Sequence, residues 1–183
     1  TAHHPAALAS PAAFWNSSSE GGSFAYDLDG VDDYIICTLG TALGSDFSFA
    51  CWIKFDTTAA TTETFVSNDG YTSGGWLLQR RSNDELRYAE NGDGATFTDN
   101  VWPSSSRNWH HVVSVRSGGV LTEYIDGALL PVSKTGLTGA ITSTAFSIGR
   151  RQDSSSQYSD CKVDDVRAYN RALTQAEITH LAE

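Results

Sequence analysis

The sequence predicts an all-β domain, and three observations favour this fold class. From Ser23 onward, short runs of apolar and β-branched residues are separated by clusters of Gly, Asn, Asp and Ser. No long apolar pattern with a period of 3.6 residues occurs before the C-terminal end. At 183 residues the chain is long enough for one sizeable core, and β-sandwiches of this length commonly form a single domain.

Residues 47–55 show the clearest strand pattern. Apolar residues at the odd-numbered positions alternate with Ser48, Ala50, Trp52 and Lys54. A period of two places the odd-numbered residues on one face of a sheet, so we expect a central strand that lies over the core.

Residues 111–132 predict an antiparallel meander. The expected strands are residues 111–116, 120–125 and 128–132, and they are separated by Gly118-Gly119 and Asp126-Gly127. Asp-Gly supplies the positive φ angles that a type I′ turn requires.

The C-terminal end predicts one short helix. Thr174 precedes Glu177 by three residues, which is the spacing of a capping box. Leu173 and Ile178 flank this box as a hydrophobic staple does, so we expect the helix to begin just after Thr174.

Composition argues against two classes of partner. The chain has 22 acidic and 12 basic residues, and its net charge of −10 repels phosphate backbones and anionic lipid. No apolar run approaches the roughly 20 residues of a membrane span, and the N-terminus lacks the features of a signal peptide. We therefore expect no nucleic-acid partner and no membrane insertion. Thr1 is compatible with removal of either an initiator Met or an export signal.

The cysteines indicate neither a thiolate metal site nor a redox motif. Cys37, Cys51 and Cys161 are odd in number and show no C-x-x-C spacing. We expect them to be buried as small apolar residues, with one disulfide and a leftover thiol as the alternative.

Residues 1–22 differ in composition from the predicted domain of residues 23–183. They are rich in Ala, Ser, Pro and Gly, and they hold too few large apolar side chains for a core of their own. We expect an arm that either stays on its own sandwich or docks on a neighbouring subunit, with Phe14 and Trp15 as its anchor.

Six motifs occur in an order that resembles one family. In chain order they are Leu28-Asp29-Gly30-Val31-Asp32-Asp33-Tyr34, residues 47–54, residues 109–113, residues 124–127, residues 147–149 and residues 163–173. Over residues 24–183 this order is similar to that of laminin G-like, concanavalin A-like jelly-roll domains. The resemblance implies two antiparallel sheets packed face to face, in extracellular or particle-surface proteins that bind glycans or proteins. The same sandwich hosts lectin-like, adhesive and enzymatic members.

The resemblance also implies a structural calcium ion. In related jelly rolls the ion lies between the N-terminal strand region and an Asp of the last strand. Carried over to this sequence, Asp29 and the backbone near Gly30 supply one side and Asp164 supplies the other, with Asp32 and Asp33 close enough to assist. Calcium prefers such oxygen ligands. The alternative is that these acids bind turn amides without a metal.

Aromatic residues are the candidate glycan contacts, because sugar rings stack on exposed aromatic faces. Trp102 lies in a loop-like segment where a large ring is hard to bury, and together with Tyr71 and Tyr158 it forms the predicted glycan site. The other tryptophans of the domain are expected to be packed, either at family core positions or at the start of a strand. They are Trp52, Trp109 and Trp76.

Glu123 departs from the family pattern, because relatives have an aliphatic residue on this face of the strand beside Leu121 and Ile125. A carboxylate there must be paired or open to water. We expect a salt bridge at the rim, with a ligand-facing carboxylate as the alternative. The candidate partners are Arg80, Arg81, Arg116, Arg150 and Arg151.

The sequence does not predict an enzyme. Jelly-roll glycosidases carry Glu-x-Asp-x-Glu on one strand, because retaining hydrolysis needs two carboxyl groups roughly 5 Å apart. No such run occurs, and Asp84 and Glu85 are adjacent and so point to opposite faces of a strand. No Gly-x-Ser-x-Gly motif accompanies His110-His111.

We therefore expect a non-catalytic recognition or adhesion module that binds a glycan and holds a structural calcium ion. A protein ligand is also compatible with the family, and the expected location is extracellular or on a virion surface. The alternative is a structural decoration subunit of a larger assembly such as a virus particle, docked through its N-terminal arm. Either role is compatible with a homo-oligomer.

Overall fold

The computed structural model describes residues 25–55, 61–68, 74–90, 98–103, 108–154 and 156–183, together with the backbone of residues 6–7. Phe14, Trp15 and Tyr71 lie outside the described residues. The docking role of the arm and the decoration role that depends on it therefore stay predictions, as does the extracellular or virion location.

Thirteen strands and one helix form in the described part of the chain. In order they are β1 (Ala6–Ala7), β2 (Tyr26–Asp29), β3 (Ile35–Thr38), β4 (Phe47–Phe55), β5 (Glu63–Asn68), β6 (Trp76–Arg80), β7 (Glu85–Glu90), β8 (Asn100–Val101), β9 (His110–Ser117), β10 (Val120–Ile125), β11 (Ala128–Leu129), β12 (Ala145–Ile148), β13 (Asp160–Tyr169) and α1 (Gln175–Leu181).

The strands form two sheets that pack face to face. Sheet A has the order β1-β3-β12-β5-β6-β7-β8, and sheet B has the order β11-β10-β9-β4-β13-β2. Neighbouring strands are antiparallel except for β1 and β3, whose short pairing is parallel. The predicted all-β jelly-roll sandwich with a short C-terminal helix is confirmed.

The core lies between the inner faces of the two sheets. The odd-numbered residues of β4 are at most 1% exposed, as their period of two predicts. Phe47 stacks on Trp76 of sheet A with 5.5 Å between ring centroids, and Phe49 lies 5.7 Å from Phe146. The prediction that Trp76 is packed is therefore confirmed.

The predicted meander is formed by β9, β10 and β11. Asp126 and Gly127 have φ angles of 52° and 77°, which are the two positive values of a type I′ turn. Gly118 and Gly119 make the preceding turn with φ angles of 56° and 76°.

Helix α1 covers part of the outer face of sheet B. Its N-cap Thr174 and Glu177 form the predicted capping box. Leu173 and Ile178 pack with Ala50 and Val113 in a second apolar cluster, outside the main core. Within the described residues, no helix has the length and apolar character that a membrane crossing requires.

The three cysteines are buried and free, as expected. Burial raises the pKa of Cys37 to about 12, so its thiol stays protonated near neutral pH. Cys51 and Cys161 have pKa values that burial raises even further above the ordinary range.

Glu123 points into the sandwich, and both predictions of its environment are wrong. Its side chain is fully buried, because it shares the inner face of β10 with Leu121 and Ile125. Asn100 donates a hydrogen bond to Glu123 Oε2 at 2.7 Å. The same Asn100 side chain donates to the backbone carbonyl of Val132 and accepts from the backbone N–H of Val132. No arginine pairs with Glu123 in the described part of the chain. Burial raises its pKa to about 7.

Candidate functional site

The turn after β2 brings three carboxylates together. Asp29 Oδ1 accepts hydrogen bonds from the backbone of Val31 at 2.8 Å and of Asp32 at 3.3 Å. These donors lower the pKa of Asp29 and favour its charged form. Oxygens of Asp29, Asp32 and Asp33 lie within 4.8 Å of one another, a spacing that one calcium ion with 2.3–2.6 Å bonds could bridge.

Asp164 does not lie beside this turn, so the predicted pairing of Asp164 with Asp29 is wrong. The register of β13 on β2 places Asp29 opposite Asp160, and the ladder ends where Val163 meets Tyr26. Asp164 is four residues beyond Asp160, which corresponds to roughly 13 Å along a strand. Gly30, with φ of 73°, also packs against Asp160 rather than Asp164.

Trp102 is buried, so the prediction that its ring is exposed for a glycan is wrong. Its side chain is 2% exposed and meets Phe55 and His110 edge-on, at 5.2 and 5.4 Å between centroids. The backbone N–H of Trp102 donates to Asp84 O at 2.9 Å, which folds the segment after β8 over the edge of the core. A loop position therefore does not leave this ring in solvent.

Trp52 and Trp109 were expected in the core but lie on the outer face of sheet B. Trp52 alternates with the inward residues Cys51 and Ile53, and Trp109 is 36% exposed. Ala25, Trp52, Trp109 and Asp164 line a cleft of about 440 Å³, which we call the tryptophan cleft. The sequence-predicted metal ligand Asp164 thus belongs to an aromatic surface.

A polar groove lies on the outer face of sheet A, and we call it the sheet A groove. Its volume is about 180 Å³, and its lining residues are Thr62, Leu77, Gln79, Arg81, Arg87, Ala89, Arg151 and Gln157. Strands β6 and β7 form its floor, because Leu77 pairs with Ala89 and Gln79 pairs with Arg87 across the ladder.

A chain of amide and hydroxyl groups is fixed along one side of this groove. Gln79 Nε2 donates to Thr64 Oγ1 at 3.0 Å and to Gln157 Oε1 at 2.6 Å. Thr64 also donates to Gln157 Oε1 at 3.0 Å, and its backbone N–H binds Gln157 O at 2.8 Å. Gln157 has a left-handed φ of 55°, and its side chain contacts β5 and β6 through Thr64 and Gln79.

Arginines form the other side of the groove, and each one meets a carboxylate. Arg87 binds Asp99 through two bonds of 2.7 and 3.1 Å. Arg151 also forms a bidentate pair with Asp153, with Nη2 at 2.7 Å from Oδ2. Arg81 donates to Glu85 at 3.2 Å. These pairs fix the planar guanidinium groups in orientation.

Tyr158, a predicted glycan contact, directly follows the groove residue Gln157 in the sequence. Its ring is half-buried and tilts on Tyr34 with 6.3 Å between centroids, while the Arg150 guanidinium lies 3.7 Å from the centre of the Tyr34 ring. Tyr158 is not among the described residues that line the groove, and its glycan role stays a prediction.

Sequence reasoning missed the groove because its sides come from distant segments. In β6 the outer positions are Leu77 and Gln79, and one polar residue beside one apolar residue is no clear signal for a polar face. No local pattern shows that the segments around Arg151 and Gln157 return to this face.

Comparison with known proteins places this geometry in a family. A family model described as the concanavalin A-like lectin/glucanases superfamily matches residues 29–179. No match is found among proteins with curated descriptions.

Solved structures share the fold at low sequence identity. Trypanosoma rangeli sialidase, in complex with the inhibitor DANA, is 20% identical with a TM-score of 0.67, over 89% of this chain and 28% of the sialidase chain. The heptameric SAP-like pentraxin of Limulus polyphemus is 16% identical with a TM-score of 0.62, over 86% of this chain and 80% of that chain. The receptor binding domain of botulinum neurotoxin C/D mosaic serotype is 17% identical with a TM-score of 0.69, over 86% of this chain and 42% of the toxin chain.

The chain spans less than half the length of the sialidase and toxin chains that it matches. At these identities the structural matches show the fold alone. The family model, by contrast, covers most of the sequence, and the chain belongs to the concanavalin A-like lectin/glucanase superfamily.

Proposed function

We propose that this protein is a non-catalytic glycan-recognition module and that the sheet A groove is its saccharide site. The observation that carries the proposal is the groove's combination of a fixed amide and hydroxyl chain with oriented guanidinium groups. Saccharides present many hydroxyl groups, each both donor and acceptor, and recognition requires directional partners of both kinds.

The charge of the groove favours an uncharged ligand. Arg81, Arg87 and Arg151 meet Glu85, Asp99 and Asp153, so three positive charges are balanced by three negative ones. A neutral saccharide can bind here without leaving a charged group unpaired.

The groove is also preorganised. Gln79 is buried, and its amide is held by both Thr64 and Gln157, so little side-chain entropy is lost on binding. The volume of about 180 Å³ is below the roughly 300–1,000 Å³ of pockets for drug-sized ligands, and it suits a small portion of a glycan chain.

Two further observations support recognition without catalysis. None of the described residues that line the groove is an Asp or Glu, whereas retaining glycoside hydrolysis requires two carboxyl groups at the scissile bond. The superfamily is described as comprising lectins as well as glucanases, and the similar structures include a pentraxin and a toxin receptor binding domain beside the sialidase.

We also propose that Asp29, Asp32 and Asp33 hold a structural calcium ion, without Asp164. The three carboxylates fit such an ion in spacing and chemistry. Its role would be to neutralise the acidic turn after β2 and to stabilise the folded state by binding it preferentially.

A glycan array tests the recognition proposal. We expect wild-type protein to bind a defined set of glycans, and Arg87→Ala and Arg151→Ala to lose at least about tenfold in affinity for them. Arg171→Ala is the matched control, because it removes another carboxylate-paired arginine at the start of the helix region. Circular dichroism melts check that each variant is folded. Absence of any glycan ligand, or equal binding by all four proteins, would contradict the proposal.

A further inference from the structure

The tryptophan cleft is a second concave surface, on the opposite side of the sandwich from the sheet A groove. It lies on the part of sheet B where Trp52 and Trp109 are accessible, while α1 packs over Ala50 and Val113. Its volume of about 440 Å³ falls in the range of ligand pockets.

The register of three strands builds this cleft around one indole. Trp52 of β4 lies directly opposite His111 of β9 on one side and Asp164 of β13 on the other. The His111 ring is 5.2 Å from the Trp52 ring and supports it from the side. Burial lowers the pKa of His111 to about 4, so this support is uncharged at neutral pH.

A β-bulge determines which acidic residue reaches the cleft. The pairing of β13 with β4 shifts by one residue between Asp164 and Arg167, and Asp165 has a left-handed φ of 47°. Asp165 forms an ion pair with Arg167, two residues further along the strand, at 2.7 Å. Asp164 lines the cleft, and no ion pair to it exists among the described residues; its Oδ1 accepts only the backbone N–H of Asp165, at 2.7 Å.

The charges next to the cleft balance. In the adjacent row of the sheet, Lys54 lies opposite Lys162, and Lys162 in turn lies opposite Asp27, to which it donates at 2.9 Å. Lys54, Lys162, Asp27 and Asp164 thus bring two positive and two negative side chains to this part of the sheet. A neutral ligand therefore fits this surface better than an ion does.

We propose that the tryptophan cleft is a second saccharide-binding site, in which the apolar face of a pyranose ring lies on the indoles of Trp52 and Trp109 and a hydroxyl group donates to Asp164. Exposed aromatic faces bind apolar ring surfaces, and a carboxylate accepts strongly from a hydroxyl. The site is separate from the sheet A groove. With both occupied, the protein would hold saccharides on opposite faces of one sandwich.

NMR of the indole N–H groups tests this site directly. The probes are oligosaccharides of glucose, galactose, mannose and xylose, each titrated into ¹⁵N-labelled full-length protein. We expect at least one probe to shift the Trp52 and Trp109 signals, while the buried Trp76 and Trp102 serve as internal controls. If no probe shifts Trp52 or Trp109, or if choline shifts them and no saccharide does, the proposal is overturned.

Variants separate stacking from general effects. Trp109→Ala is expected to weaken the responsive probe about tenfold, and Trp109→Phe, which keeps an aromatic face, only a few-fold. Asp164→Asn should also weaken it, whereas Asp27→Asn, which removes the same charge from the same sheet, should not. Equal effects of the two Asn variants would contradict the role of Asp164. Arg87→Ala should leave the Trp109 shifts intact, so failure of the sheet A groove and failure of this cleft are told apart.

Discussion

Asp164 lies directly opposite Trp52 in the ladder between β13 and β4. Because of this register, the two residues of the acidic pair Asp164-Asp165 have different surroundings. The first residue lines an aromatic cleft, and the second binds Arg167 across a β-bulge. The pair therefore does not act as a unit, and among the described residues the turn after β2 holds the acidic cluster whose spacing fits a metal.

The two tryptophans Trp102 and Trp109 should differ sharply in their effect on stability. Trp102 is 2% exposed and packs on Phe55, so Trp102→Ala is expected to cost about 3–5 kcal/mol in free energy of unfolding. Trp109→Ala should cost less than about 1 kcal/mol, because its ring is on the surface. Urea unfolding of both variants measures the difference, and equal losses would contradict the assignment of core and surface.

Glu123 should make the protein less stable as the pH rises from about 4.5 to about 7. Over this range the carboxyl ionises in the unfolded state but stays protonated in the fold, where its pKa is raised to about 7. The difference between the two pKa values corresponds to roughly 3 kcal/mol. Glu123→Gln keeps the hydrogen-bonding shape and removes the titration.

The test compares unfolding free energies of wild type and Glu123→Gln at pH 4.5 and pH 8. We expect the variant to gain stability relative to wild type as the pH rises. His111, whose pKa is lowered to about 4, acts in the opposite sense as the pH falls below its ordinary value of 6.5, but it is present in both proteins and cancels. A difference that does not change with pH would rule out the buried, protonated Glu123.

Calcium should raise the melting temperature through the turn after β2. At a concentration 100 times its Kd, an ion that binds only the folded state adds about 2.7 kcal/mol, or roughly 5–10 °C for a chain of this size. Asp32→Asn should abolish the difference between melts in calcium and in chelator, and Asp27→Asn should retain it. Identical melts of the wild type in both conditions, with no metal in elemental analysis, would sink the calcium proposal.

The helix cap makes a local prediction. Thr174→Ala removes the side chain that accepts from Glu177 N, and it should cost about 1 kcal/mol. Thr179→Ala is the matched control, because it makes the same change inside the same helix and should cost little. Thermal unfolding distinguishes them, and an equally stable Thr174→Ala variant would argue against the cap.

The fold was predictable because its signals are local. The period of two in β4, the Asp126-Gly127 turn and the capping box at Thr174 each follow from a few neighbouring residues, and each is confirmed. The candidate sites were not predictable to the same degree, because they depend on register. The pairing of β13 with β2 places Asp29 opposite Asp160, and the pairing of β13 with β4 places Asp164 opposite Trp52.

The sequence also did not predict which way several side chains point. Trp102 sits in a loop yet fills the core, and Trp109 directly precedes β9 yet is exposed on the outer side of sheet B. Glu123 is in an inward register position, and its polar partner Asn100 comes from the other sheet. Sequence spacing alone does not reveal such contacts between sheets.

Chemical-shift mapping of backbone amides, with the strongest glycan found on the array, tests most directly whether the sheet A groove binds saccharide. We expect the largest shifts to include Gln79, Arg87 and Gln157 on the outer face of sheet A, and Arg87→Ala to remove them. No shift in these residues at saturating glycan would contradict the assignment of the sheet A groove as the saccharide site.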